Sequence, residues 1–272
     1  MEESWQVIVD LGLLGLLLVG LRLVRVSRSR RARAANEAPR VTGGQPELTR
    51  TQLWSLAASA IFARRNNDRW DRMKLGAGVE AVQAMLSDSW DVHGPADAEP
   101  ILDWLAGAGH TERLREDLAV LAAVPPAQVE AWLARQPPDK APRLGFAHRH
   151  RAELADGKLV AWDLVRLINL ARALVTVGWL TEAAAWKHIL PAARRLQREY
   201  RSWEELSRKF MIGRHYWGEG EGTQPRFDAA AAWLLGDPAS PWRQLAWATP
   251  LDVAESSRGA GPPGAWRPGV PP

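Results

Sequence analysis

Two oppositely charged side chains, Asp163 and Arg166, interrupt a long apolar segment that covers residues 158–177 (KLVAWDLVRLINLARALVTV). Residues three apart are neighbours on a helix surface, so this carboxylate and this guanidinium can pair with each other or with groups on adjacent helices. Buried charges are costly unless they are paired and hydrogen-bonded. We therefore expect Asp163 and Arg166 to have specific polar partners within the apolar core.

This polar pair has two interpretations, one functional and one structural. In the functional one it lines a pocket for an anionic or amide-bearing ligand, with Trp162 stacked nearby. In the structural one it is a buried ion pair that fixes the register of the helix and caps another helix. Asn169 and Arg172 could extend either arrangement. The candidate polar site therefore consists of Asp163, Arg166, Trp162 and Asn169, and its catalytic role is open.

The remaining chemistry-bearing residues form no recognisable catalytic or metal-binding motif. The chain has no cysteine, so it has no disulfide, no thiolate zinc site and no cysteine nucleophile. His148 and His150 lie close together in a basic segment, but the six histidines do not have metal-ligand spacing. H-E-x-x-H, Walker A and G-x-S-x-G patterns are also missing from the sequence. We therefore expect no metal and no cofactor.

The elements that position the polar pair are predicted to be helices. Residues 48–250 show helical periodicity and no strand alternation, which predicts an all-α, irregular multi-helix globular domain. Thr49 with Gln52 is a capping-box pattern, and Thr111 and Thr181 are candidate N-caps. The helices are predicted over residues 49–63, 79–88, 95–106, 112–123, 127–135, 158–177, 182–189, 191–200, 202–212 and 227–235, with a loop at the prolines 137, 138 and 142.

Tryptophan, present 15 times, is expected to supply much of the core. A large aromatic ring fills interior volume, and its indole N–H needs only one acceptor. The tryptophans expected in the core are those at positions 54, 90, 104, 162, 179, 186 and 203.

Residues 1–27 are predicted to form a single transmembrane anchor. Their uninterrupted apolar run, residues 11–21, approaches the roughly 20 residues that a span requires only if Asp10, Arg22 and Arg25 lie near the membrane surface. A secretory signal peptide fits less well, because acidic residues precede the run and arginines follow it. A buried or interfacial helix is the remaining alternative.

The arginines that follow this run predict its orientation and its lipid partner. By the positive-inside rule the N-terminus lies outside and the rest of the chain lies in the cytoplasm of a bacterial cell, behind a single-pass anchor in the cell membrane. Residues 28–47 form a basic juxtamembrane linker, and the stretch from Arg22 to Arg40 is expected to attract anionic lipid. Residues 251–272 are rich in Pro and Gly and are predicted to be a disordered tail.

The charge distribution argues against a nucleic-acid partner. The formal charge is +4, but residues 51–250 carry 25 basic and 24 acidic side chains. A nucleic-acid-binding domain should show a basic face or stripe. We therefore expect no nucleic acid, and a protein partner remains open.

Several short motifs follow one another in a fixed order between residues 63 and 214. They are ARRNND at 63–68, LSDSWDV at 86–92, ILDWL at 101–105 with GH at 109–110, AWDxxR at 161–166, GWLTE at 178–182, AW at 185–186, SWEE at 202–205 and GR at 213–214. In this order the motifs resemble the bacterial family named domain of unknown function 1266, over roughly residues 50–245. The resemblance implies that the domain at residues 48–250 is mostly helical. It implies no enzymatic activity, because the family has none assigned.

Two functional hypotheses follow from these features. The first is a membrane-tethered binding or adaptor module, which fits the anchor, the near-neutral helical domain and the lack of catalytic motifs. The alternative is an uncharacterised enzyme, or a toxin or conflict-system effector, that uses a polar pocket around Asp163 and Arg166. The first is the preferred hypothesis.

Overall fold

The computed structural model describes residues 48–218 and 224–251. All regular secondary structure in these two ranges is helical, which confirms the predicted all-α class. In chain order the helices are α1 (Arg50–Ala57), α2 (Ala60–Arg65), α3 (Val79–Trp90), α4 (Pro95–Ala106), α5 (Thr111–Ala122), a 3₁₀ turn η1 (Pro126–Gln128), α6 (Val129–Leu133), α7 (Ala141–Arg149), α8 (Val160–Thr176), α9 (Glu182–Glu199), α10 (Trp203–Gly218), α11 (Gln224–Gly236) and α12 (Pro241–Gln244).

The predicted anchor, the linker and all but the first residue of the predicted tail lie outside the described residues. Within the ranges that are described, none of the helices combines the length and the hydropathy that crossing a bilayer requires.

Helix α8 is the centre of the fold. It buries 14 of its 17 residues, as expected for a helix that is apolar nearly all round. Helices α4, α9 and α10 pack around it, with smaller contacts from α1 and α3. The prediction of a buried central helix is confirmed, and every residue that α8 presents to its neighbours is thereby held in a fixed position.

The first predicted helix is divided in two. The capping box is present as predicted, since the Gln52 amide donates to Thr49 Oγ1 at 3.2 Å and the Thr49 amide donates to Gln52 Oε1 at 2.9 Å. The continuous helix over 49–63 is wrong, because α1 ends before α2 begins at residue 60. The hydroxyl of Ser59 donates to the Leu56 carbonyl at 3.1 Å, which gives the backbone an alternative partner at the break.

Two proline-based predictions are also wrong. Residues 141–149 form α7 instead of continuing the loop, because Pro142 occupies the first turn, where its missing N–H leaves no helical bond unmade. Residues 182–199 form one helix, α9, with Pro191 inside it. We attribute this continuity to the buried side chains of α9, such as Ile189 and Leu196, whose packing offsets the single lost hydrogen bond. The predicted Thr181 cap is present, accepting from the Ala184 amide at 3.1 Å.

Helix α10 extends six residues beyond the predicted end at residue 212, to Gly218. In the sequence, Gly213 predicts the end of the helix. In the fold it lies inside α10, at the point where α10 closely approaches α8. A Cβ at this position would lie 2.5 Å from the Cβ of Trp162 on α8. The longer α10 brings Tyr216 against Asp117 and Trp217 against His110.

The start of α5 also differs from the prediction. Thr111 is the first residue of the helix and does not cap it. Its hydroxyl instead accepts a hydrogen bond from the Leu159 amide at 3.0 Å, which ties the start of α5 to the residue before α8.

The predicted tryptophan core is confirmed in part. Trp54, Trp162 and Trp203 are buried, whereas the other four predicted tryptophans (90, 104, 179 and 186) are half-buried and pack against the core from its margin. Trp203 stacks on Trp242 with ring centroids 5.6 Å apart, which joins α10 to the C-terminal part of the domain.

Candidate functional site

His110 lies where α4 has ended and α5 begins, and it is 1% exposed. The preceding residue, Gly109, has φ +50°, in the left-handed region that favours glycine. A Cβ on Gly109 would lie 2.3 Å from Oδ2 of Asp163, so space as well as backbone conformation requires glycine here. This close approach brings His110 against the first turn of α8.

The carboxylate of Asp163 accepts two hydrogen bonds from His110. The ring atom Nδ1 lies 2.6 Å from Oδ1, and the backbone N–H lies 3.0 Å from Oδ2. Since an ionised carboxylate only accepts, Nδ1 carries the ring proton and Nε2 is the unprotonated nitrogen. Asp163 thereby places negative charge at the N-terminus of α5, which stabilises that helix end.

Arg166 approaches the imidazole from above its plane. Its Nη1 lies 3.1 Å from Nε2 and 3.3 Å from Nδ1 of His110. An atom nearly equidistant from both ring nitrogens lies over the face of the ring and not along the in-plane lone pair of either. In the described part of the chain, Nε2 has no other hydrogen-bond partner, so its lone pair has no in-plane donor there.

Aromatic rings surround these polar groups. The His110 ring lies 4.8 Å from Trp104 and 4.2 Å from Trp217, in edge-on geometry. The Arg166 guanidinium carbon lies 4.3 Å from the ring centroids of both Trp90 and Trp162, within cation–π range. We name this group the Arg166 site: His110, Asp163, Arg166, Trp90, Trp104, Trp162 and Trp217.

The electrostatics of the site keep His110 neutral. Burial, with a smaller contribution from the positive charge of Arg166, lowers the pKa of His110 from 6.5 to about 4. Asp163 acts in the opposite direction but does not overcome burial. At neutral pH the site therefore contains one carboxylate, one guanidinium and one uncharged imidazole.

One polar atom of the site is buried without a partner. Trp162 is 5% exposed, and its Nε1 finds no hydrogen-bond acceptor among the described residues. Buried donors without an acceptor are rare, because each forgoes the hydrogen bond that it would make in water. The same indole lies against the Arg166 guanidinium, so an acceptor bonded to Nε1 at the ring edge would lie beside a positive charge.

A second buried polar group adjoins the Arg166 site through Trp217. Asp117 Oδ2 accepts from Arg143 Nε at 2.8 Å and from the Tyr216 hydroxyl at 2.7 Å. Burial raises the pKa of Tyr216, and the charge of Asp117 raises it further, so the phenol stays protonated. This group ties α5, α7 and α10 together beside Trp217, whose ring lies 5.7 Å from the Arg143 guanidinium carbon.

A family model described as protein of unknown function (DUF1266) matches residues 85–247, well over half of the chain and all of the Arg166 site. The chain belongs to the DUF1266 family. No curated protein and no solved structure matches it significantly. The DUF1266 assignment confirms the resemblance drawn from the motifs.

Within the DUF1266 domain, three of the four predicted site residues come together. Asp163, Arg166 and Trp162 belong to the Arg166 site, but Asp163 pairs with the distant His110. Asn169 lies further along α8, is half-buried, and forms no hydrogen bond with the other three in the described part of the domain. Arg172 belongs to a different contact, at the far end of α8.

Four residues of the site were missed at the level of sequence: Trp90 and Trp104, which were expected only in the core, and His110 and Trp217. His110 follows a glycine in one of the DUF1266 motifs, and this adjacency was the available signal. Trp217 lies in the part of α10 beyond the predicted helix end. In residues 48–218 and 224–251, no cluster of three or more histidine or acidic side chains is placed to hold a metal ion.

Proposed function

We propose that this DUF1266 protein is a membrane-tethered binding or adaptor module on the cytoplasmic face of a bacterial cell membrane, and that the Arg166 site is where its ligand binds. The observation that carries the proposal is the position of the Arg166 guanidinium, 4.3 Å from each of two indole rings. Planar guanidinium groups held by aromatic rings are well suited to recognise planar or anionic groups.

The location of the site supports ligand entry. Arg166, Trp90, Trp104 and Trp217 are all half-buried, so the outer wall of the site consists of side chains that reach solvent. His110, Asp163 and Trp162 lie behind this wall and are buried. A ligand would therefore contact the half-buried outer side chains first, with the buried polar groups behind them.

The second candidate is an enzyme, and the Asp163–His110 pair is the observation that favours it. A carboxylate bonded to Nδ1 orients an imidazole so that Nε2 can accept a proton. However, a general base works best with a pKa near the working pH, and the pKa of His110 is about 4. The chain also has no cysteine, and no serine or threonine hydroxyl contacts the ring in the described residues. Binding is therefore the better-supported function.

Native mass spectrometry of the full chain, purified gently from its own host in mild detergent, tests the ligand site. We expect a bound small molecule that is lost in the Arg166→Gln variant and retained in Arg198→Gln, which removes the same charge from an exposed position on α9. A bound molecule retained equally in both variants would contradict the assignment of the site. A co-purifying protein that is lost only in Arg166→Gln would favour the adaptor form of the proposal.

The tether has its own test, independent of the site. Removal of residues 1–45 is expected to release the protein from membranes in high salt, and pelleting of the shortened form would contradict the anchor. Because the chain has no cysteine, single substitutions such as Ser4→Cys and Ser257→Cys provide unique labelling positions. An impermeant maleimide applied to intact cells should label position 4 and not position 257.

A further inference from the structure

We propose that one face of α9 docks on the anionic surface of the membrane to which the proposed anchor tethers the chain. The face consists of Lys187, Arg194, Arg195 and Arg198, and we name it the α9 basic face. The inference rests on the proposed tether and is independent of the Arg166 site. It adds a second membrane contact, which the folded domain itself makes.

The basic residues of α9 lie on one side of the helix, and no acidic residue interrupts them. Between Glu182 and Glu199 the sequence contains these four cations and no carboxylate. Positions 187, 191, 194, 195 and 198 follow the three- and four-residue spacing that places residues on a single helix face. Lys187 and Arg198 are exposed, and at 1.5 Å per residue the face between them is about 16 Å long.

The fold supplies no counter-charge for most of this face. Among the described residues, no carboxylate forms an ion pair with the three cations other than Arg194. The acidic side chains at its margins interact with Lys158 and His188 instead, and Arg195 donates to the uncharged Ala106 carbonyl at 2.7 Å.

This excess of positive charge is local and has a cost. Residues 51–250 carry 25 basic and 24 acidic side chains, so the domain as a whole is nearly neutral. Like charges three or four residues apart destabilise a helix, and the helix dipole favours only the cation in the last turn of α9, Arg198. A face of this kind therefore indicates an anionic partner outside the domain.

The chain enters the domain beside this face. Helix α1, which begins two residues after the start of the described range, packs against α9. Thr51 Oγ1 donates to the Pro250 carbonyl at 3.4 Å, and Arg194 Nε donates to the carbonyl of the next residue, Leu251, at 3.2 Å. Arg50, exposed in the first turn of α1, adds a cation at this edge.

This position favours the bilayer as the partner over a soluble polyanion. Residues 28–47 connect the proposed anchor to the domain, and a chain of this length spans at most about 70 Å. The tether therefore keeps the entry edge near the bilayer, where the face beside it meets headgroups without a second diffusional encounter. Each basic side chain near anionic lipid strengthens such an association by roughly fivefold.

Energy transfer in proteoliposomes tests which face of the domain approaches the bilayer. The full chain is reconstituted in phosphatidylcholine with or without phosphatidylglycerol, and the acceptor dye is on lipid headgroups. Because the chain lacks cysteine, Ala183→Cys on α9 and Ala122→Cys on α5 each place one donor dye at an exposed position. Ala183 lies one turn before Lys187, whereas the main contact of α5 is with α7.

We expect phosphatidylglycerol to raise transfer from position 183 and not from position 122. High salt should remove the increase, because it screens the attraction between exposed charges and headgroups.

A double variant assigns the effect to the α9 basic face. Lys187→Gln with Arg198→Gln removes two exposed charges and should weaken docking by about tenfold or more, so the increase at position 183 is lost. The matched control is Arg115→Gln with Arg135→Gln, which removes the same charge from exposed positions outside α9 and should retain the increase. Urea unfolding checks that both double variants keep the stability of the parent protein.

The contrary outcomes separate this inference from the proposed function. Equal transfer from both positions, no increase with phosphatidylglycerol, or an increase that persists in the α9 double variant would overturn the docking face and leave the tether intact. Unchanged transfer together with loss of a co-purifying nucleic acid or acidic protein would assign the face to that partner instead. If the full chain does not insert into vesicles, the tether fails and this inference fails with it.

Discussion

Asp163 binds His110 through both the imidazole and the backbone amide, at 2.6 and 3.0 Å, although 52 residues separate them in the chain. One carboxylate thus caps the start of α5, fixes the tautomer of a buried imidazole and joins α5 to the central helix α8. This agrees with the structural interpretation of the polar pair, in which its charge caps another helix. The hydrogen bond from His110 Nδ1 to Asp163 also fixes the tautomer of the imidazole, so Nε2 remains the unprotonated, accepting nitrogen.

Replacing Asp163 by asparagine should reverse this tautomer. The new amide has to accept from the backbone N–H of His110, so its NH₂ group faces Nδ1 and favours a proton on Nε2 instead. That proton would then face the positive charge of Arg166 from a buried ring. We expect the free energy of unfolding to fall by about 2–4 kcal/mol. Nitrogen NMR of ¹⁵N-labelled histidine should show the change of protonated nitrogen directly.

Asp139→Asn is the matched control, because Asp139 is exposed in the loop before α7. It should change neither stability nor the His110 resonances. If Asp163→Asn retained the proton on Nδ1 and the stability of the parent protein, the hydrogen bond between Asp163 and the ring would not be what sets the tautomer.

The stability of the protein should depend on pH through His110. Its pKa is about 4 when folded and 6.5 ordinarily, so between these values the unfolded chain binds a proton that the folded protein does not. Stability therefore falls as pH falls through this window and levels off below it, with a contribution of roughly 3 kcal/mol across the window. Urea unfolding at a series of pH values measures this loss.

The His110→Asn variant isolates this effect from the many carboxylates that titrate in the same range. Its amide can still donate to Asp163 but does not titrate, so the difference in unfolding free energy between parent and variant should shrink as pH falls from 6.5 to 4. A difference that stays constant with pH would show that His110 does not carry the proton linkage. Asp163, Arg166 and Arg143 are the charged groups that influence this imidazole, and they are unchanged in the variant.

The central helix and part of the site were predictable because their signals are local. An apolar segment of 20 residues with three-residue polar spacing is enough to place α8, Asp163 and Arg166. The partner of Asp163 was not predictable in this way. His110 is distant in sequence, and only the fold shows that Gly109 lies against the carboxylate.

The errors in the predicted helix ends have one physical origin. Tertiary contacts override residues, such as proline and glycine, that usually end a helix. Pro191 and Gly213 both read as helix boundaries, yet each lies inside a continuous helix. In the first case buried side chains on either side of the proline hold the helix together. In the second the glycine is required by the approach of α8, which no single segment of sequence reveals.

Gly213→Ala should separate α8 and α10 at the Arg166 site. The added Cβ would lie 2.5 Å from the Cβ and 3.1 Å from the Cγ of Trp162, and no side-chain rotation relieves the first contact because the backbone of α8 fixes the Cβ of Trp162. We expect a loss of about 1–3 kcal/mol in the free energy of unfolding, measured by urea titration. Gly236→Ala is the control, because a Cβ there meets no atom within 4 Å. Equal stability of the two variants would mean that the helices can move apart freely.

Arg172 fixes the segment between α2 and α3 from the far end of α8. Its side chain is 0% exposed and donates to the carbonyls of Arg72 and Arg69 at 3.1 and 2.6 Å. One turn further on, Thr176 Oγ1 accepts from the Leu75 amide at 2.8 Å. Burial lowers the pKa of Arg172 to about 10, and Asp68 and Asp71 act in the opposite direction, so it remains charged at neutral pH.

Arg172→Met should therefore loosen this segment while α8 stays folded. Methionine fills much of the same volume but leaves two carbonyls without their donor, and the segment gains freedom to move toward solvent. We expect amide hydrogen exchange at Leu75 to accelerate by about tenfold or more, which corresponds to roughly 1.4 kcal/mol of local stability. Thr176→Val removes only the acceptor for Leu75 and should leave exchange unchanged at Gly76, whose amide donates to Asp68, whereas Arg172→Met should affect both. If Arg172→Met left exchange at both amides unaltered, the arginine would not be what holds the segment in place.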